Sequence, residues 1–210
     1  QSVTTVSTEN IPRPSPPIFR YDPLAQSFEI DARKGVPGAF VTKVDVFLRK
    51  APQTVTNDGT QTAIPLQLQL RETEAGVPKA FPITEQCRVY KSADSCYSVV
   101  SNIINTDGGL ENLDVVLANP VTFEFEEPIY ISGGVEYAIV LLAECDNYEA
   151  FVSTTYALVL GKTTTRVSKQ PASGSLFLSQ NGSTWTPQQH QDMAYRIHTA
   201  KFKSEGNVNF

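Results

Sequence analysis

Residues that carry chemistry are scarce in this chain. Its 210 residues include two histidines, three cysteines, one methionine and one tryptophan. His190 lies in the polar run Gln188-Gln189-His190-Gln191, and His198 lies in a strand-like run. A spacing of eight with no Cys-x-x-Cys fits no zinc pattern, so no metal site is expected. No Gly-x-Ser-x-Gly elbow is present. Gly161-Lys162-Thr163 matches the end of a phosphate-binding loop, but Tyr156 stands where the first glycine belongs. Asp107-Gly108-Gly109 lacks the ligand spacing of a calcium loop. The pairs Glu124/Glu126 and Glu126/Glu127 lie on or beside a wet strand face, which suits solvated charge rather than acid–base work. The expectation is a chain that is not an enzyme and needs no cofactor.

Basic charge is also in short supply. Lysine and arginine number 17 against 22 acidic residues, for a net charge of -5. A protein that grips phosphates needs a basic face, so neither nucleic acid nor an anionic membrane is an expected partner. No apolar run approaches the ~18 residues of a membrane span, and no signal peptide is visible. An odd cysteine count argues against a disulfide framework. Cys145 closes an apolar strand and reads as a buried thiol. Cys87 and Cys96 share a loop-rich region where a bridge stays open as an alternative, and free thiols are expected. Asn181-Gly182-Ser183 has the form of a glycosylation sequon, but its turn context explains it without a sugar.

What the chain does have is period-two alternation, with Thr, Ser, Gln, Asn, Gly and Pro between the apolar runs. Leu24, Gln26, Phe28 and Ile30 share one face. Phe40, Val44, Val46 and Leu48 share another, with Lys43, Asp45 and Arg49 opposite. Ile64, Leu66, Leu68 and Leu70 alternate with Pro65, Gln67 and Gln69. Val121, Phe123 and Phe125 alternate with Thr122, Glu124 and Glu126. Residues 135–143 are apolar on both faces, as a central strand requires. Residues 150–160 read as a further strand, including the run Tyr156 to Leu160. Runs at 175–180 and 184–186 flank Asn181-Gly182, a hairpin signal. Met193, Tyr195 and Ile197 point inward in a last strand over about 193–202, with Arg196 and His198 outward. Residues 81–118 are ambiguous between irregular strands at about 87–91 and 97–104 and a short helix around 110–116. The expected fold is all-β, a two-sheet antiparallel β-sandwich of jelly-roll type.

Three regions result: an extended Ser/Thr- and Pro-rich arm at 1–20, the sandwich at 21–203, and the start of a following segment at 204–210. The chain opens on Gln1 and breaks off after Gly206–Phe210, which reads as a fragment or a processed product. Four prolines within residues 11–19 favour a polyproline-like path. Pro12, Pro14, Pro16 and Pro17 are candidate docking residues. Tyr97, Tyr148 and Trp185, with Phe151, are candidate aromatic contacts for a protein or a glycan.

The order of several stretches resembles a known family. Asp22-Pro23-Leu24-Ala25-Gln26-Ser27-Phe28 precedes Gly38 to Phe47. Pro65 to Arg71 and Gly76-Val77-Pro78 follow, then Pro128 to Ile131, Gly134 to Leu141 and Asn147-Tyr148-Glu149. Lys169-Gln170-Pro171, Gly174 to Phe177 and Ser179 to Thr186 complete the series. Together these resemble a β-sandwich domain of baseplate-wedge and tail proteins in T4-like contractile-tailed phages, cyanophages among them. The resemblance covers about 21–203 and departs from the family at 81–118. It implies a virion protein of the tail or baseplate, assembled in the host cytoplasm. Its partners would be other virion structural subunits, a homo-oligomer among the arrangements. It brings no catalytic residues. The alternative function is a carbohydrate-binding, receptor-binding module on the same fold.

Overall fold

The computed structural model describes residues 23–31, 37–53, 56–57, 60–61, 64–145, 147–168, 174–179, 182 and 184–201. The arm at 1–20, with its four candidate prolines, and the segment 204–210 lie outside the described residues.

Strand makes up 48% of the structure and helix 15%, so the all-β reading holds with a helical insertion. The strands are β1 (Leu24–Glu29), β2 (Gly38–Val46), β3 (Leu48–Lys50), β4 (Thr56–Asn57), β5 (Thr60–Gln61), β6 (Leu66–Glu74), β7 (Val77–Pro78) and β8 (Arg88–Lys91). After helices α1 (Ala93–Ile104) and α2 (Leu113–Ala118) come β9 (Val121–Ser132), β10 (Glu136–Leu142), β11 (Glu149–Ala150), β12 (Val152–Thr154), β13 (Leu176–Ser179), β14 (Trp185–Gln188), β15 (Gln191–Met193) and β16 (Tyr195–Thr199). The larger sheet runs β14-β13-β1-β10-β6, with β7 and β8 both pairing β6. The smaller runs β16-β2-β9. All of these pairings are antiparallel. Residues 149–154 wedge between β3 and β15, with Phe151 N donating to Phe47 O and Ala194 N to Phe151 O, each at 2.8 Å. This is a two-sheet sandwich, the coarser part of the expectation.

The inner faces meet in one core. Phe28, Leu66, Leu68, Leu70, Ile139 and Leu176 come from the larger sheet, and Val41, Val44, Val46, Phe123, Phe125 and Ile131 from the smaller. Each such side chain contributes about 1.5–3 kcal/mol when fully removed from water. β10 is buried on both faces, as its double apolar pattern requires.

Five expectations need correction. Phe40 is not on the inner face. The register of β2 with β9 shifts between Val41 and Lys43, so the inward set passes from Val41 to Val44 and Phe40 turns out against Tyr130. Pro128 lies in the displaced stretch of β9 and has no N–H for the ladder. The run Tyr156–Leu160 is not strand. Tyr156 takes φ 67 in a turn, and the stretch folds back on residues 165–167 through the isolated bridge Leu158–Arg166 and the bonds of Tyr156 N to Val167 O and Val159 N to Thr165 O. Cys145 is half-buried rather than enclosed. Residues 97–104 belong to helix α1, not to a strand. Ser92 caps it, its hydroxyl accepting from Ser95 N at 3.3 Å. Ala93, Cys96, Val100 and Ile103 form its buried stripe, a helical spacing that outweighs the β-branched pair Val99-Val100. The short helix expected near 110–116 is α2, and 88–91 is the strand β8. The 180–184 hairpin connection is longer than a two-residue turn, since Ser179 pairs with Trp185.

Candidate functional site

Three places on the sandwich bring polar side chains together. The first is the outer face of the smaller sheet. Asp45 on β2 stands beside Arg196 on β16 and Thr122 on β9 in the cross-strand register. Its Oδ2 lies 2.7 Å from His198 Nε2 and accepts from Arg196 Nη1 at 3.3 Å, and its Oδ1 accepts from Thr122 Oγ1 at 2.7 Å. Arg196 also lies 5.5 Å from the ring centroid of Phe47. The Asp45 side chain is only 4% exposed, although its position in the alternation reads as wet. Burial raises its pKa, but the hydrogen bonds from His198 and Thr122, with the charges of His198 and Arg196, outweigh that and hold it low. The carboxylate is saturated by its neighbours and works as a clamp across three strands.

The second place is the mouth between the two sheets. A groove of about 980 Å³ opens between β13–β14 and β11–β12. Leu24, Leu176, Leu178, Ala150 and Val152 form its apolar walls, and Arg49, Glu149, Thr186, Gln188 and Gln191 its rim. Tyr148 sits at its base with its hydroxyl donating to Ile64 O at 2.7 Å, and burial pushes its pKa up.

The third is a trough of about 580 Å³ on the outer face of the larger sheet. Register lays out its floor. Tyr90, Gln67 and Leu142 form one cross-strand row, and Arg88, Gln69 and Val140 the next. Arg71 follows beside Ala138, and it is 3% exposed. Burial, and then the neighbouring Arg88 charge, lower the Arg71 pKa to about 10. Arg71 Nη1 donates to Lys79 O at 2.9 Å and Arg71 Nε to Gln69 Oε1 at 2.8 Å. Gln69 Nε2 then donates to Gln67 Oε1 at 2.7 Å. An arginine nitrogen can only donate, so Arg71 fixes both amides in turn. The Gln67 amide nitrogen is left turned away from Gln69, with no partner among the described residues. Arg88 Nε is buried and also lacks a partner among the described residues, and its Nη2 lies 3.5 Å from Glu85 Oε1.

The candidate aromatics do not form one platform. Tyr97 and Tyr148 are half-buried against the main core. Phe151 packs with Phe47, Ile103 and Val116. Trp185 packs on the opposite side of the larger sheet, with Ala25, Ala138, Val140 and Phe177. Tyr90, Arg88 and the Gln67–Gln69–Arg71 relay were not singled out by sequence. The glutamines read there as an ordinary wet face, and nothing in the chain announces that β8 pairs with β6. Among the described residues no group of three or more His, Cys, Asp or Glu side chains could hold a metal. No described helix is long and apolar enough to cross a membrane.

The chain matches no family model, no curated protein and no solved structure.

Proposed function

We propose that this domain is a non-catalytic structural module of a contractile-tailed phage, placed in the tail or baseplate and working through contacts with other virion subunits. The observation that carries the reading is how its reactive side chains are spent. His198 is bonded to the saturated Asp45, and Cys87 and Cys96 are enclosed in the core. What faces outward is contact surface. Phe81 and Tyr156 are 77% and 73% exposed, and the rings of Phe40 and Tyr130 meet tilted, 5.1 Å between centroids, on the outer face of the smaller sheet. β16 has no second strand neighbour among the described residues, so its edge can accept a strand from another chain. β14 is the matching edge of the larger sheet, but Pro187 removes a donor there. The virion assignment itself rests on the order of the sequence stretches given above.

Cross-linking mass spectrometry of purified particles tests this. Cross-links from the domain to neighbouring tail subunits are expected. A parent protein found only in the unassembled fraction overturns the reading.

A second reading, a glycan-binding module, is favoured by one feature, the trough at Tyr90. An exposed aromatic ring stands there beside amide and guanidinium donors, which is how sugar faces and hydroxyls are held.

A further inference from the structure

We infer that the trough is a site for an acidic saccharide, with the carboxylate of a uronate- or sialate-type sugar held by Arg88 and Gln67. This deepens the glycan-binding reading and rests on it.

The inference starts from the direction of the hydrogen bonds. The relay Arg71 to Gln69 to Gln67 runs one way, and its 2.8 and 2.7 Å links leave the Gln67 amide as a free donor in the trough. In the adjacent row Arg88 keeps a buried Nε–H without an acceptor among the described residues. A buried donor left unpaired costs free energy, which a ligand acceptor recovers once the guanidinium turns to meet it. Two donors in neighbouring rows of one sheet suit a group with two acceptor oxygens, and a planar guanidinium matches a carboxylate. The local charge agrees. Arg71 meets Arg88 as a like charge, so an anion here is attracted by both. Among the described residues Arg88's only ion pair is the long 3.5 Å contact to Glu85, whose side chain is 81% exposed and readily displaced.

The rest of the trough suits a sugar ring better than a bare anion. Tyr90 is 57% exposed and Leu142 lies two strands away in the same row, which gives an aromatic wall and an apolar floor for the face of a pyranose. Glu144 on the far lip is an acceptor for ring hydroxyls. The rigid sheet holds these groups in register before any ligand arrives, so little ordering entropy is lost on binding.

The test uses the whole chain on an array of uronate- and sialate-bearing oligosaccharides, each beside its methyl-esterified counterpart, with a glutamate-rich peptide as a further probe. Binding of acidic saccharides is expected, with a loss of tenfold or more on esterification. Arg88→Gln and Tyr90→Ala should each lose tenfold or more. Glu149→Gln, in the separate groove between the sheets, should lose nothing. Because Arg88→Gln could fail to fold, amide chemical shifts of the unaltered protein give a second readout. Shifts clustered on Gln67, Arg88, Tyr90 and Glu144 support the site. Equal binding of ester and acid overturns the inference and leaves the glycan reading standing. Binding of no saccharide overturns both. Binding of the acidic peptide alone assigns the trough to a protein partner and overturns the saccharide.

Discussion

Gln26 Oε1 accepts the backbone N–H of Met193 at 2.8 Å inside the core, tying β1 of the larger sheet to β15 beneath it. Gln26 is fully buried, although it occupies an apolar position in the alternation. Its amide nitrogen donates to Asp192 Oδ1 and to Ser27 O, each at 3.2 Å. The side chain thus satisfies a backbone donor where β15 leaves the regular ladder.

Replacing Gln26 with leucine fills the volume but strands the Met193 N–H and the Asp192 carboxyl. A loss of roughly 2–4 kcal/mol is expected in urea denaturation, from two buried groups left unpaired. A loss below about 0.5 kcal/mol would show that water or a backbone shift replaces the amide.

Asp192 supplies a pH-dependent test. It is 1% exposed and its Oδ2 has no partner among the described residues, so burial raises its pKa despite the bond from Gln26. A carboxyl whose pKa is higher in the folded state holds its proton better there. Its stabilising contribution is full below the unfolded value of ~3.9 and is lost as pH rises through the folded value. Asp192→Asn removes that loss. Thermal melts should favour the variant increasingly between pH 3 and pH 7, and a constant difference would contradict the assignment.

Asp45 has the opposite sign. Its pKa is lowered in the folded state, so its contribution is present above the unfolded value of ~3.9 and lost as pH falls through the folded one. Asp45→Asn should cost roughly 1.5–3 kcal/mol at pH 7, the range of hydrogen bonds to a charged group. The gap to the native protein should close toward pH 2. A gap independent of pH would mean that the carboxylate charge contributes nothing.

The clamp and the core amide also mark how far the sequence could be read. Alternation placed Gln26 inward and Asp45 outward, and both directions hold. What alternation cannot carry is which polar residues meet across strands. Asp45 is enclosed because Thr122, Arg196 and His198 arrive from two other strands in register. Phe40 was lost to a register shift, since moving a strand by one position exchanges its faces. Helix α1 runs through 97–104, read as an irregular strand in an ambiguous region, because the Ser92 cap and the Ala93–Cys96–Val100–Ile103 stripe outweigh the strand propensity of Val99 and Val100. The trough depends wholly on the pairing of β6 with β8, a long-range choice made by the core.

The thiols should separate by position. Cys87 and Cys96 are fully buried, and burial pushes the Cys96 pKa up to about 12. Cys145 is half-buried and lines the groove between the sheets. Iodoacetamide at pH 8 should label one thiol per native chain and three in denaturant, read by intact mass. Two labels in denaturant fewer than expected would reveal a disulfide between a pair of them.

Trp185 separates packing from recognition. It is half-buried on Phe177, Ala25 and Val140, and its indole Nε1 is buried with no hydrogen-bond partner among the described residues. An unpaired buried N–H costs free energy, and only the apolar body of the ring is used. Trp185→Phe should therefore leave stability unchanged or raise it. Trp185→Ala should cost about 2–4 kcal/mol, below the full range for a core tryptophan because part of the ring is exposed. If the indole instead served a ligand, both variants would lose binding while the phenylalanine variant kept its stability. The packing account expects Trp185→Phe to bind acidic saccharides at the trough as the native chain does. Loss of that binding with an unchanged melting temperature would move Trp185 from the scaffold to the binding face.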